Sequence, residues 1–167
     1  MTGEEASGQD DDPLQLDRQV CFPLYAATNL LNRLYHPVLQ SIGLTYPQYL
    51  VMLVLWEHEV QTVGALGARL YLDSGTLSPL LKRLEATGLV MRRRDPADER
   101  KVLVALTDQG RALRARALDV PSTISGGYTP EGIEQLRDSV RALVSALAER
   151  DGQIRLSSVA ARTAEGS

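Results

Sequence analysis

The chain has 167 residues, 44% of them hydrophobic and 23% charged, enough for one domain with a buried core and ordinary for a soluble globular protein. No apolar run approaches the roughly 20 residues needed to span a bilayer, and the acidic start MTGEEASGQDDDP does not read as a signal peptide, lacking its basic and apolar regions, so a cytoplasmic location without a membrane partner is expected. The net charge of −3 speaks against a nucleic-acid binder only until its distribution is read: five acids and no base fall in residues 1–12, while seven bases and five acids fall in 73–101.

Residues 1–12 are polar and acidic, with little to bury, and read as a disordered tail. Residues 14–40 read as a long helix within a segment 13–45. Its apolar positions Val20, Leu24, Ala27, Leu31, Leu34 and Val38 alternate in steps of four and three, a seam of the kind one helix offers another. Pro37 should kink or shorten its last turn. The segment also holds the only cysteine, Cys21. A lone cysteine cannot close an intrachain disulfide, and in a reducing compartment it is a free thiol. Composition alone makes it a buried packing residue.

Thr45 is placed to cap a second helix, with Pro47 in its first turn. The run YLVMLVLWEH is apolar nearly all round, which predicts burial. A short helix over 62–70 follows, with Val63, Leu66 and Leu70 on one face. In YLDSGTLSPLLKRLEATGLV, Asp73 can cap a further helix, Leu77, Leu80, Leu81 and Leu84 form its apolar stripe, and Gly88 suits a left-handed terminus. Pro79 falls inside this pattern and predicts a local distortion or a later start.

LVMRRR and KVLVALT, separated by DPADER, read as a β-hairpin. Thr107 and Asp108 cap a helix that Pro121 ends. STISGGY reads as a loop. Thr129, Pro130 and Glu131 start a last helix, whose face is Ile133, Leu136, Val140, Leu143, Val144 and Leu147. Residues 151–167 lack periodicity and read as a flexible tail.

The fold class is therefore mainly α: a winged helix-turn-helix over 46–106, with a small β-hairpin as its wing. The seams of 13–45 and 107–150 have no partner in one chain, so these N- and C-terminal helices are expected to dimerise with a second copy. Ser74, Thr76, Ser78, Lys82 and Arg83 give the second helix of the motif a polar face suited to phosphates and base edges. Arg92 lies on the first wing strand. Arg100 and Lys101 lie near the wing tip, with Asp98 placed to orient Arg100. Taken singly, such charges mean only a solvated surface; helix order and a basic wing together point to DNA.

The stretch DSGTLSPLLKRLEATGLVMRRRDPADERKVLVALTDQG resembles the MarR family of dimeric winged-helix regulators, whose recognisable wing feature is Asp-x-Arg, here Asp98 and Arg100. LDRQVCFPLYA, YPQYLVMLVLWEHE and LYLDSGTLSPLLKRLE resemble its organic-hydroperoxide-sensing branch, OhrR. The resemblance runs from about Leu16 to Pro121. It implies a homodimeric repressor on a palindromic operator in double-stranded DNA, and no enzyme. Cys21 would be the sensing thiol. Tyr35 and Tyr46 match the tyrosines that hydrogen-bond it in the family, with help across the dimer interface, and Tyr25 matches a further motif tyrosine. Ser74, Thr76, Ser78 and Arg83 would lie in the major groove and Arg100 in the minor. Pro79 belongs to the family pattern. DVPSTISGGYTPEG lacks the second cysteine that some members carry, so the chain resembles the one-Cys type, which needs an external low-molecular-weight thiol.

The chemistry fits two geometries. If a helix starts at Cys21, the positive end of its dipole favours thiolate; if it starts at Leu14, the tyrosine hydroxyls must do so. Thiolate attacks an organic hydroperoxide to give sulfenic acid, which condenses with a thiol. Phe22, Leu24 and Trp56 would favour greasy oxidants. His36 and His58, with one Cys and no paired spacing, make no zinc site, and no cofactor is expected. The competing regulator is one released by a small phenolic ligand, with Cys21 incidental. A thiol peroxidase is disfavoured by the missing resolving cysteine and the absence of a thioredoxin-like pattern.

Overall fold

The computed structural model describes residues 12–125 and 128–164. The acidic tail over 1–11 lies outside them. The described chain divides into two compact units, one through Thr123 and one from Ile124 onward.

The first unit opens with a single 3-10 turn, Leu16–Arg18, and then α1, Cys21–Ser41. The helix expected from residue 14 thus begins at Cys21. Pro23 explains the boundary: it falls in the first turn, where its missing N–H costs nothing, whereas a start at Leu14 would bury it mid-helix. Pro37 does not end α1.

α2 spans Tyr46–His58 behind a capping box, with Gln48 Oε1 accepting from the Thr45 N–H at 2.8 Å. Tyr49, Val51, Met52, Val54 and Leu55 are buried, so α2 is the central helix its composition predicts. β1, Val60–Thr62, follows. Thr62 then caps α3, Val63–Leu70, accepting from Ala65 N.

α4 spans Ser74–Ala86 and starts where Asp73 caps it. The later start does not occur. Pro79 is accommodated within a continuous helix, where its only obligatory loss is the bond it cannot give the Gly75 carbonyl. Leu77, Leu81 and Leu84 are buried. The end of α4 is a Schellman motif: Gly88 N donates to Glu85 O and Leu89 N to Leu84 O, with Gly88 at φ +74°.

β2, Val90–Arg94, and β3, Val102–Leu106, form the expected hairpin. The sheet has three strands in the order β1-β3-β2, both pairings antiparallel, with Val60 opposite Ala105 and Arg92 opposite Val104. α5, Asp108–Arg116, is capped by Thr107 and packs on α2 and β3 within this first unit. It ends before Leu118, so Pro121 is not its terminator. α6, Ser122–Ser125, is one turn of helix where a loop was expected.

The second unit holds α7, Pro130–Ala164, with Gly132 N donating to Thr129 Oγ1 as the start signal predicts. The helix runs through 151–164, where a tail was expected. Leu136, Val140, Val144 and Leu147 stand exposed on it.

Candidate DNA-binding and thiol sites

α3, the turn 71–73 and α4 form the helix-turn-helix, and β2–β3 stand beside it as the wing. On α4, Ser74, Thr76, Lys82 and Arg83 are exposed and Ser78 is half-buried. Two of the three hydroxyls are already engaged. Thr76 Oγ1 donates to Asp73 Oδ2 at 2.9 Å, and Ser78 Oγ donates to Ser74 O at 2.7 Å. Each then offers lone pairs rather than a proton to an incoming base. The two bonds from Thr76, backbone and side chain, hold the Asp73 carboxyl below its usual range.

The wing tip is tightly braced. Arg100 Nε donates to Asp98 Oδ1 at 3.0 Å, and Lys101 Nζ lies 3.5 Å from Asp98 Oδ2. Asp98 also accepts from the Arg100 backbone N–H at 3.2 Å. These contacts, Arg100 first, lower the Asp98 carboxyl. Arg100 itself is 91% exposed, so the brace aims a guanidinium that remains available. Arg92 sits differently. Its Nε and Nη2 reach Glu85 Oε2 at 2.9 and 2.6 Å, and its backbone N–H reaches Glu85 Oε1 at 3.2 Å. It ties β2 to α4 instead of standing free beside Arg100.

Cys21 is a free, exposed thiol in the first turn of α1. Of the two geometries left open by the sequence, the structure has the helix start there. Phe22 and Tyr25 are exposed nearby, with Leu24 half-buried. Tyr35 and Tyr46 pack against each other from α1 and α2, ring centroids 5.0 Å apart and planes tilted by 33°. Tyr49, which sequence reasoning passed over, joins them at 6.3 Å from Tyr35; its signal was its place one turn after Tyr46. Burial, with repulsion from Tyr46 and Tyr49, pushes the Tyr35 phenol up to about 12. Burial raises Tyr46 as well.

The Tyr35 ring is buried and the Tyr46 ring half-buried, and their hydroxyls have no hydrogen-bond partner among the described residues. No buried side-chain oxygen there lacks one, so these phenol oxygens reach the surface of the chain. Within one chain they do not reach Cys21. Tyr35 is fourteen positions further along α1, about 21 Å at 1.5 Å per residue. Trp56 is held away too, donating Nε1–H to Gly110 O at 2.9 Å. It lines a cavity of about 360 Å³ between α2 and the end of α5 with the segment that follows α5, together with Tyr49, Leu53, Arg114, Leu118 and Pro121. Among the described residues no cluster of His, Cys, Asp or Glu could hold a metal, and no single helix is long and apolar enough to cross a membrane.

A helix-turn-helix with a basic wing defines a winged-helix regulator. The profile of the family described as "Transcriptional regulator SarA/Rot" matches residues 33–116. The chain is 44% identical over 142 residues to the organic hydroperoxide resistance transcriptional regulator of Bacillus subtilis (strain 168), covering 84% of this chain and 97% of that protein. It is 49% identical over 148 residues to the HTH-type transcriptional regulator TtmR of Methylorubrum extorquens (strain PA1), covering 87% and 76%. Among solved structures, reduced AbfR bound to DNA is similar with TM-score 0.66 and 35% identity, covering 80% of this chain and 94% of that one; AbfR has also been solved overoxidized on DNA and disulfide-formed. The chain belongs to the MarR-type family of winged-helix transcriptional regulators, as a relative of the organic hydroperoxide resistance regulators, and its relatives are regulators rather than enzymes.

Proposed function

We propose that this chain is a redox-sensing repressor, active as a cytoplasmic homodimer on a palindromic operator that controls a peroxide-resistance gene. The observation that carries this reading is the separation of two complementary halves. A free thiol opens α1, and about 21 Å further along that helix stands Tyr35, packed against Tyr46 of α2, neither phenol having a hydrogen-bond partner among the described residues. A second copy with α1 antiparallel brings each thiol to the other's phenols. The exposed Leu30 and Leu34 on α1, and Leu136, Val140 and Leu147 on α7, supply the apolar faces such a pairing covers.

In the reduced dimer, Ser74, Thr76, Ser78, Lys82 and Arg83 read the major groove and Arg100 the minor groove, with Lys101 on phosphate. The Cys21 thiolate attacks the terminal oxygen of an organic hydroperoxide. The O–O bond breaks, the alcohol leaves after protonation, and Cys21 becomes sulfenic acid. With no second cysteine in the chain, a small thiol then attacks the sulfenic sulfur, forming a mixed disulfide and releasing water. The added bulk in a packed interface costs roughly 1–3 kcal/mol and shifts the spacing of two recognition helices that must sit about one helical turn apart.

The test is binding to a duplex that the wild-type chain selects from a random-sequence pool. It is measured before and after one equivalent of cumene hydroperoxide, with and without a small thiol. Release in wild type but not in Cys21→Ser, deeper with thiol, is expected. Equal behaviour of the two proteins sinks the redox reading. The cavity beside Trp56 and Arg114, of a size that seats small ligands, then favours the second reading, release by a phenolic ligand.

A further inference from the structure

Tyr71 is the residue the regulatory reading leaves without a task. It occupies the turn between α3 and α4 with φ 54° and ψ 38°, the left-handed region. That conformation suits glycine and penalises a bulky side chain. The turn imposes it. Tyr71 N and Leu72 N both donate to the Gly67 carbonyl, and a Cβ on Gly67 would lie 2.7 Å from Leu72 O. A glycine at 71 would make the same turn without strain. The tyrosine is 66% exposed, so packing does not explain it. Its hydroxyl has no hydrogen-bond partner among the described residues, while its neighbour Asp73 is occupied by Thr76. Strain retained at an exposed position points to a contact made outside the chain.

The position identifies that contact. Tyr71 lies two residues before the Asp73 cap, at the end of α4 that enters the groove first in a helix-turn-helix. Tyrosine hydroxyls are among the groups that donate to phosphate oxygens, and such contacts set register without reading sequence. We propose that Tyr71 is a DNA-backbone clamp: its hydroxyl donates to a phosphate at the edge of the groove that α4 enters, and so fixes the depth and angle of that helix. The proposal rests on the DNA-binding reading and adds a residue to it.

Two variants separate the clamp from a merely structural role. Tyr71→Phe removes only the hydroxyl. Tyr71→Gly removes the side chain and relieves the backbone. Affinity is measured by fluorescence anisotropy on the duplex selected by the wild-type chain and on a scrambled duplex, with melting temperature alongside. Tyr71→Phe is expected to lose about two- to tenfold in affinity on both duplexes, the range of one hydrogen bond, with an unchanged salt slope because no charge is lost. Tyr71→Gly is expected to bind at least as weakly while melting at or above the wild-type temperature. Wild-type affinity in both variants overturns the clamp and leaves the DNA reading intact, as does a loss in Tyr71→Gly that tracks a lowered melting temperature while Tyr71→Phe is unaffected. If the wild-type chain selects no duplex at all, the DNA reading falls and the clamp with it.

Discussion

Cys21 and Tyr35 stand on one continuous helix, fourteen positions apart, so the backbone positions that carry the sulfur and the phenol are about 21 Å apart along its axis, more than the two side chains span. Any hydrogen bond between them joins two chains. This makes a complementation experiment decisive. Tyr35→Phe homodimers should form sulfenate about tenfold more slowly than wild type, the weight of one bond to a charged sulfur. In a mixed dimer of Tyr35→Phe with Cys21→Ser, the surviving Cys21 faces an intact Tyr35 on the other subunit. Its oxidation rate, read by dimedone labelling, should return to the wild-type value. A mixed dimer as slow as the Tyr35→Phe homodimer would show that the two residues do not act across the interface.

The tyrosine cluster also predicts an alkaline limit. Tyr35 titrates near 12 in the folded chain, against an ordinary value of 10.0, because burial disfavours the phenolate. Below pH 10 the proton is bound in both states and the contribution to stability is complete. Between about 10 and 12 only the unfolded chain releases it, so stability falls as pH rises through that window. Tyr46 and Tyr49 are raised in the same direction. Melting temperatures across this range should fall for wild type and fall less steeply for Tyr35→Phe. Parallel slopes would mean that the Tyr35 ring is not sequestered in solution.

Asp98 offers a prediction whose sign separates two roles. As a bare negative charge near DNA it opposes binding, and Asp98→Asn should tighten the complex. As the brace that holds Arg100 through Nε and backbone N–H, it favours binding, and Asp98→Asn should weaken the complex a few-fold. The geometry predicts weakening. Arg100→Ala should cost more, about 10- to 100-fold for a lost groove contact, and Arg100→Lys should not restore it, since the ammonium lacks the planar fork. Titration of duplex by each variant at fixed salt reads the sign directly.

Arg92 and Arg100 should part company in the same experiment. Arg92 is half-buried against Glu85, which its guanidinium and backbone N–H hold below the usual carboxylate range. Arg92→Ala should therefore lower the melting temperature more than Arg93→Ala does, with only a modest change in DNA affinity. The depressed Glu85 carboxyl contributes stability above its ordinary value of 4.5, lost as pH falls through the lower folded value. The melting gap between wild type and Arg92→Ala should narrow in acid. A gap that is constant with pH would remove the ion pair as its cause.

What the sequence made legible was local. Asp73, Gly88, Thr107 and Thr129 announce helix ends because each acts on residues within one turn of itself. Cys21 and the wing residues were legible as types in a motif. What escaped depends on distant chain. β1 is three residues long and exists through pairing with β3, more than forty positions away. The Glu85–Arg92 pair forms because the Schellman turn at Gly88 folds the strand back over the helix, bringing together residues nearly equidistant from the glycine. α7 continues past 150 through Gly152, Ser157, Ser158 and Val159, all poor helix formers, so neither apolar spacing nor propensity announces it.

The same turn sets the most severe substitution. Thr107 donates its hydroxyl to Gly88 O at 2.6 Å and accepts from Gly110 N at 3.0 Å, pinning the start of α5 against the loop that enters β2. Gly110 is buried in that junction, and a Cβ there would lie 2.0 Å from Leu89 O and 3.2 Å from the Leu106 side chain. The first obstacle is backbone, which cannot swing aside as a long side chain would. Gly110→Ala must therefore push α5 from the sheet or break the Thr107 bonds, costing about 3 kcal/mol or somewhat more. Gly152→Ala on α7, where a Cβ meets nothing within 4 Å, should instead be neutral or slightly stabilising, since alanine is the better helix former by about 1 kcal/mol. Urea unfolding of the two variants checks the contrast. Because α5 also carries the Gly110 carbonyl that Trp56 uses, Gly110→Ala should shift Trp56 fluorescence in the folded state, before any denaturant is added, and Gly152→Ala should not.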